Sequence, residues 1–598
     1  MNVKTSLEMS KDISKPEQLI TEHIDIWTSS ILAKSTSGRG SSKKYELYGI
    51  SKLRELILEL AVRGKLVPQD DNDEPASVLL EKTAVEKAKL EEDGTIKKLK
   101  PVHKITNEEK PFNLPTGWKW ARLSDISHYQ VGKTPSTKNP SYWTESDKGI
   151  PWVSISDLNH FGTVKSTSKK ITPLASESIF KAEPVRAGTI LMSFKLTLGK
   201  ISILEEDAYH NEAIISLYPF CGIFKEYLFT TLPKRALSGN SKQAIMGNTL
   251  NSKSLSLLLI PVPPLAEQKR IVAKVDELML LCDQLEQQTE DSIDAHATLV
   301  EVLLATLTDS ADADELAQNW MRIAEHFNSL FTTEQSIEAL KQTVLQLAVM
   351  GKLVPQNQND EPASALLEKI AKEKEQLIKE KKIKKEKPLA AVTDDEKMFE
   401  LPAGWIWLRL NDFAEVKGGK RLPKGHSFSN KKTDYVYLRV TDMKNGNIDT
   451  SDLKYLTKST RELISNYTIS QSDLYITIAG TIGAVGQIPK YLNGANLTEN
   501  AAKIVFNQVD KSWLQGCLSS RFSQNQFNEK VNQMAQPKLA LHRILSTAIA
   551  LPPKKEQRRI VAKVDELMAI CDQLKVKLQQ SQETQVKLTD ALIERALG

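Results

Sequence analysis

Cysteine is scarce in this chain: four thiols in 598 residues, at 221, 282, 517 and 571, with no Cys-x-x-Cys pair. That argues against a disulfide-stapled secreted scaffold. The nine histidines form neither His-x-x-x-His nor His-Glu-x-x-His, so no zinc site is expected either. Long apolar runs are missing too. No window approaches the ~18 residues that a membrane span needs, and the first 45 residues lack a basic-then-apolar leader. Membrane and export readings drop out, and a reducing cytoplasm is the expected location. The 26 Gly and 25 Pro are spread thinly, which excludes collagen-like repeats. Net charge is only +5, from 80 Lys+Arg against 75 Asp+Glu. What remains, 40% hydrophobic and 26% charged residues, describes a soluble globular protein of roughly three to five domains.

The strongest positive feature is an internal repeat. Residues 60–82 return at 347–369 with 19 of 23 positions identical, an offset of 287. Leu-Pro-x-Gly-Trp-x-Trp at 114–120 returns at 401–407 at the same offset, and 267–285 returns at 556–574 with 16 of 19 identical. Between these anchors, 121–262 and 408–551 have nearly equal lengths but have mostly drifted apart. A weak echo survives in Val153-Ser154-Ile155-Ser156-Asp157-Leu158 beside Leu438-Arg439-Val440-Thr441-Asp442-Met443. The pattern is a near-identical frame carrying two inserts of similar fold and dissimilar surface.

The frame is helical. Leu53, Leu56, Ile57 and Leu60, like Leu340, Val344 and Leu347, follow the three-and-four spacing of an amphipathic helix, stopped by Gly64 and Gly351. Asp73-Glu74-Pro75 and Asp360-Glu361-Pro362 open a second helix, with Pro in its first turn. Ile271, Val275, Leu278, Cys282 and Leu285 mark a heptad-like seam. Ile560, Val564, Leu567, Cys571, Leu574, Leu578, Ser581, Gln585, Leu588 and Leu592 extend its second copy. Residues 560–592 would make a rod of roughly 50 Å. A long helix over 265–307, an acidic break at Thr308 to Asp314 and helical 317–350 can fold back as a pair. The duplication then requires the C-terminal helix to pack on 46–66, with an approximate two-fold axis and the chain ends side by side. Residues 1–45 lie outside the repeat, with a helix expected over 17–33.

The inserts read as mixed α/β. Trp152 to Ile155, Thr189 to Ser193, Tyr435 to Val440 and Leu474 to Ile478 are short strand-like runs between Gly, Pro and Asn clusters. They also hold the positive charge. Residues 111–262 carry 17 basic against 11 acidic side chains and 398–553 carry 19 against 12, leaving the rest of the chain at −8. Two matched basic modules on an acidic frame suit a two-point grip on a polyanion. A lysine-dense run from Lys379 to Lys387, and a weaker one of Lys97, Lys98, Lys100, His103 and Lys104, precede the inserts. Most such runs are solvated helix ends, with phosphate contact as the alternative.

Enzyme motifs fail on inspection. Asn139-Pro140-Ser141-Tyr142 resembles the Asn-Pro-Pro-Tyr of adenine methyltransferases, but position three is Ser and no Gly-rich turn for the methyl donor precedes it. It reads as a turn on a recognition loop. Gly132-Lys133-Thr134 lacks the first glycine of a P-loop, where Ser127 stands. Gly480, Gly483 and Gly486 lack dinucleotide-binding spacing and suit tight turns. Cys282 and Cys571 fall on seam positions, as core packing would place them. A non-catalytic chain is expected.

Leu-Pro-x-Gly-Trp-x-Trp before each insert, Pro-Pro-x-x-Glu-Gln-(Lys/Arg)-Arg-Ile-Val-x-Lys-Val-Asp-Glu-Leu-Met after it, and the duplication of both resemble the specificity subunit of type I restriction-modification systems, one of its larger subclasses. The likeness covers about 46–598. It implies a mixed α/β fold in which two target-recognition domains are joined by long antiparallel coiled-coil-like helices, with an internal pseudo-two-fold repeat. The domains would be 1–110 (N-terminal segment and first helical repeat), 111–262 (first reader), 263–397 (central spacer), 398–552 (second reader) and 553–598 (C-terminal helix). Each reader would take one half of a split, asymmetric target in double-stranded DNA. The frame would set the gap and dock two modification (methyltransferase) subunits, and restriction subunits would add translocation and cleavage. S-adenosylmethionine, ATP and Mg²⁺ would belong to those partners, with no cofactor on this chain. Two readers about one helical turn apart, ~34 Å, could face successive major grooves.

Base reading and phosphate contact call for Lys, Arg, Asn, Gln, Ser or Thr on loops. The candidates are Lys133, Thr134, Ser136, Lys138, Asn139, Tyr142 and Lys195 in the first insert, and Lys420, Arg421, Lys424 and Arg439 in the second. The rival reading is a coiled-coil adaptor presenting two protein-binding modules. It predicts no steep salt dependence of DNA binding.

Overall fold

The structure is a computed structural model that describes residues 16–33, 45–98, 103–238, 252–380, 389–531 and 538–597. The fold is mixed α/β and divides into two compact units, one of residues 1–291 and 581–598, the other of 292–580. The helix Leu265–Asp309 begins in the first and ends in the second, and Lys554–Leu597 does the reverse.

In the first unit the helix Tyr48–Arg63 closes at Gly64, whose left-handed backbone (φ 68) caps it. Its buried face of Ile50, Leu53, Leu56, Ile57 and Leu60 packs on Ile271, Val275, Leu278, Cys282 and Leu285. Leu592 of the C-terminal helix joins the same core, Tyr48 donates to Asp590 Oδ1 at 2.8 Å, and Lys65 Nζ to the Leu597 carbonyl at 2.8 Å. In the second unit Ile337, Leu340, Val344 and Leu347 of Glu334–Val349 pack on Leu567 and Cys571, joined by Val300, Leu304 and Leu307. The expected pairing of 46–66 with the C-terminal helix therefore holds for its last turns, whereas Leu567 and Cys571 pack on 337–347. Each long helix seats its first turns on one frame helix and its last turns on that helix's counterpart.

Residues 16–33, where one helix over 17–33 was expected, have a counterpart. They form two short helices, Pro16–Thr21 and Ile24–Ser29, not one, and bury Leu19, Ile20 and Trp27 against Tyr48–Arg63. Ala313–Glu325 and Phe327–Leu330 likewise bury Ile323 and Leu330 in the core of Glu334–Val349. A histidine, His23 or His326, stands at the N-cap of the second short helix in both.

The repeated motifs meet at one junction in each unit. Trp118 Nε1 donates to buried Glu267 Oε2 at 2.9 Å and Trp405 Nε1 to Glu556 Oε2 at 3.1 Å; burial pushes both carboxyls up. Arg270 pairs with Asp73 at 2.6 Å and Arg559 with Asp360 at 2.7 Å. The first helical N–H groups, of Ala76 and Ala363, donate to the Gly117 and Gly404 carbonyls at 2.9 and 2.8 Å. Pro75 and Pro362 stand at the N-cap, one place before the turn expected for them. Arg122 and Arg409, both buried, bind Glu109 and Glu396 and thereby clasp the segment leading into each insert. Those hydrogen bonds hold the Glu396 carboxyl down at about 2.

A two-stranded ribbon gates each insert: Lys119–Arg122 pairs antiparallel with Leu259–Val262, and Ile406–Arg409 with Ala548–Leu551. Inside, both inserts share one topology. Ser127–Val131, Ile214–Pro219, Ile190–Ser193 and Ile201–Leu204 lie side by side in that order, continued by Gly162–Val164. The second insert repeats this as Ala414–Gly418, Ala501–Phe506, Leu474–Thr477 and Val485–Gln487. A second small sheet pairs Ile150–Val153 parallel with Tyr209–His210, and Val436–Leu438 parallel with Asn496–Leu497. The strand-like runs end earlier than expected, because Ile155–Asp157 and Val440–Asp442 are 3-10 turns.

Candidate nucleic-acid interface

The best-matched part of the two inserts is the turn leaving the first strand of the main sheet. Gly132 follows Ser127–Val131, and a Cβ there would lie 2.0 Å from the His210 carbonyl oxygen; at Gly419 it would lie 2.1 Å from that of Thr498. Only glycine permits this approach. The next residue then binds the neighbouring strand through its backbone: Lys133 N to His210 O at 2.9 Å, Lys420 N to Leu497 O at 2.8 Å. Its carbonyl accepts from an aromatic beneath, Trp152 Nε1 at 3.0 Å for Lys133 and the Tyr437 hydroxyl at 2.9 Å for Lys420. One further on, Thr134 donates to Glu212, and Arg421 pairs with Glu499 at 3.3 Å. The two loops are thus pinned by the same atoms, and chemistry diverges only at the side chains.

The rest of the first loop is built on its own turns. Asn139 Oδ1 accepts from Ser141 N (3.2 Å) and Oγ (2.8 Å), capping the 3-10 turn Pro140–Tyr142. The Ser136 carbonyl accepts from Trp143 Nε1 at 3.2 Å, and Tyr142 packs beside the Trp152, Ile171 and Tyr209 cluster. Lys138 is exposed and has no partner among the described residues. Lys133 is not free: its ammonium donates to the Ile179 carbonyl at 2.9 Å. In the second loop Lys420 lies over the Tyr467 ring at 5.6 Å, Arg421 is 76% exposed despite its pair, and Lys424 is exposed.

Arg439 sits apart from that loop and is occupied. It pairs with buried Asp442 at 2.6 Å and Asp452 at 3.2 Å, closing the Val440–Asp442 turn. Ser154 does the same to Asp157 at 2.7 Å. The echo between 153–158 and 438–443 is therefore a shared turn.

A hairpin completes the edge. Phe194 N donates to Ala213 O at 2.9 Å and Ile478 N to Asn500 O at 2.8 Å, next to the carboxylates Glu212 and Glu499. The tip is tied by a hydroxyl, Ser193 Oγ to the Thr197 carbonyl and Thr477 Oγ1 to that of Thr481. Lys195 lies on this tip, over the Phe194 ring at 5.1 Å. Gly480 and Gly483, with φ of 82 and 84, make the second tip's turns, and Gly486 lies where a Cβ would meet the Tyr475 hydroxyl at 2.3 Å. Beneath the first loop His210 is 3% exposed, and burial pushes its imidazole down to about 4. Leu497 occupies the matching place in the second insert.

Sequence reasoning missed both carboxylates and the aromatic supports. Sliding one insert on the other by the frame's own offset of 287 would have found the carboxylates, because Gly132-Lys133 falls on Gly419-Lys420 and Glu212 on Glu499, but not the aromatics, since Trp152 falls on Arg439. Lys381 to Lys387 and Lys100 of the lysine runs lie outside the described residues. Among the described residues, no group of three or more His, Cys, Asp and Glu could hold a metal ion, and no helix is long and apolar enough to cross a membrane. Cys282 and Cys571 are buried on the seam.

Comparison with known proteins matches residues 115–295 and 402–583 to the family described as the type I restriction modification DNA specificity domain. The chain is 41% identical to the type I restriction enzyme EcoAI specificity subunit of Escherichia coli, over 97% of this chain and all of that protein. It is 39% identical to the EcoEI specificity subunit of Escherichia coli, again over 97% of this chain and all of the other. Among solved structures, the HsdS subunit from Thermoanaerobacter tengcongensis aligns at 18% identity and a TM-score of 0.39, covering 82% of this chain and 98% of that one.

Proposed function

This chain belongs to the type I restriction-modification DNA specificity family, and from that premise we propose that its two inserts each read one half of a split, asymmetric target in duplex DNA. The readers are 111–262 and 398–552. The remaining segments, 1–110, 263–397 and 553–598, form the frame that sets the gap between the halves. The frame docks two methyltransferase subunits, with restriction subunits joining that complex, and S-adenosylmethionine, ATP and Mg²⁺ act on those partners. One observation carries the reading: the Gly-Lys turn is held by equivalent backbone bonds in both inserts, while the side chains it presents differ, Thr134 against Arg421. A shared mount with unlike tips supports two non-equivalent readers.

The candidates divide by how they are held. Lys138, Lys195, Lys420, Arg421 and Lys424 reach DNA, as phosphate contacts or base readers. Thr134, Ser136, Asn139 and Tyr142 shape the first loop that presents them. Lys133 and Arg439, already bound to the protein's own oxygens, position the loops. Mapping methylated adenines in DNA modified by the assembled complex tests the proposal. A two-part, non-palindromic motif with a fixed gap is expected; a continuous or palindromic motif would overturn it. DNA binding should also fall steeply with salt, unlike that of a protein-binding adaptor.

A further inference from the structure

Leu196, at the tip of the hairpin in the first insert, is 81% exposed and has a left-handed backbone, φ 64. Both features count against a leucine. A lone exposed apolar residue is ordinary, but a branched side chain held at positive φ is not. The second insert shows what the turn itself needs. Ser193, Leu196 and Gly199 match Thr477, Gly480 and Gly483 in register, with the same hydroxyl tie, and Gly480 takes φ 82 where Leu196 takes 64. Glycine makes this turn without strain, so folding gives no reason for leucine.

The tip lies at the candidate DNA-reading edge. Phe194 N is bonded to Ala213 O, beside Glu212, which holds Thr134, and His210, whose carbonyl holds Lys133 N. Lys195, immediately before Leu196, is a candidate phosphate contact. An apolar side chain projecting beside phosphate-binding groups meets one apolar feature on the base edges of the major groove, the thymine 5-methyl group. We propose that Leu196 reads a thymine methyl in the half-target of the first domain, a contact that the second domain, with Gly480, does not make. This rests on the DNA-reading function proposed above.

The test uses the full chain assembled with its methyltransferase subunits and a duplex bearing the recognised sequence. Each thymine in the half assigned to 111–262 is replaced in turn by deoxyuridine, which lacks only the methyl. One replacement should weaken the wild-type complex about fourfold, the value of one buried carbon at ~0.8 kcal/mol. The Leu196→Gly complex should bind the thymine duplex at least that much more weakly and ignore the replacement. Its thermal stability should be unchanged or higher, since glycine suits the turn. Three results would overturn the inference: a Leu196→Gly complex that binds like wild type, one that still distinguishes thymine from deoxyuridine, or a wild-type complex indifferent to every replacement. Failure of wild type to bind DNA sequence-specifically would instead overturn the function itself.

Discussion

Two side chains of one type illustrate how much their neighbours decide. Lys133 and Lys420 occupy the same place on the same turn, yet the first ammonium is tied to the Ile179 carbonyl and the second lies over Tyr467. Lys133→Ala should therefore cost fold stability, about 1 kcal/mol for one lost solvent-exposed hydrogen bond, measured by denaturant unfolding. Arg421→Ala should weaken DNA binding and, where it reads a guanine, relax one target position by ~1–3 kcal/mol; unchanged affinity and preference in a salt-controlled titration would remove it from the reading set. Glu499→Gln frees Arg421 from its counter-charge, so affinity for unrelated duplex DNA should rise at low salt, and an unchanged affinity would contradict the pairing. His210 gives a pH signature. Its folded value of about 4 lies below the ordinary 6.5, so the unfolded chain binds the proton first. Stability of the first insert is full above pH 6.5 and is lost as pH falls from 6.5 towards 4, up to ~3 kcal/mol. Hydrogen-exchange protection factors, which correct for the intrinsic slowing of exchange in acid, should fall for 209–219 over that window while those of 496–506, with Leu497, hold.

At the scale of elements, the frame was legible because two near-identical copies state its pattern twice and because a seam with steps of three and four has one helical solution. The seam also drifts, for the reason that 3.6 residues per turn does not match a seven-residue repeat. Leu588, expected on it, is 48% exposed, and Thr589 is buried in its place. Leu278→Ala should cost ~2–5 kcal/mol and Leu588→Ala less than about 0.5, and equal losses by thermal unfolding would contradict the packing described. The inserts were less legible. Strands of two to six residues carry little periodicity, and the pairing of Ile150–Val153 with Tyr209–His210 joins segments far apart in the chain. Asn139, Ser136 and Lys133 were picked out by residue type and share one loop, but type does not reveal whether a lysine ends on a carbonyl or in solvent. Nor does it reveal that Arg439 is already paired: Asp442 is three residues away, and Asp452 arrives only through the fold.

For the whole molecule, duplication explains why junction and sheet repeat while the surface does not. Trp118–Glu267 and Trp405–Glu556 fasten each insert to its frame with equivalent contacts, so an insert can change its tips without changing its seat. On the function proposed above, one chain carries two independent readers. Replacing residues 121–262 with the corresponding segment of another family member, then mapping methylated adenines in DNA modified by the hybrid complex, tests it most directly. One half of the methylated motif should change while the other half and the gap between them stay as they were; a change in both halves, or in neither, would rule out two independent readers.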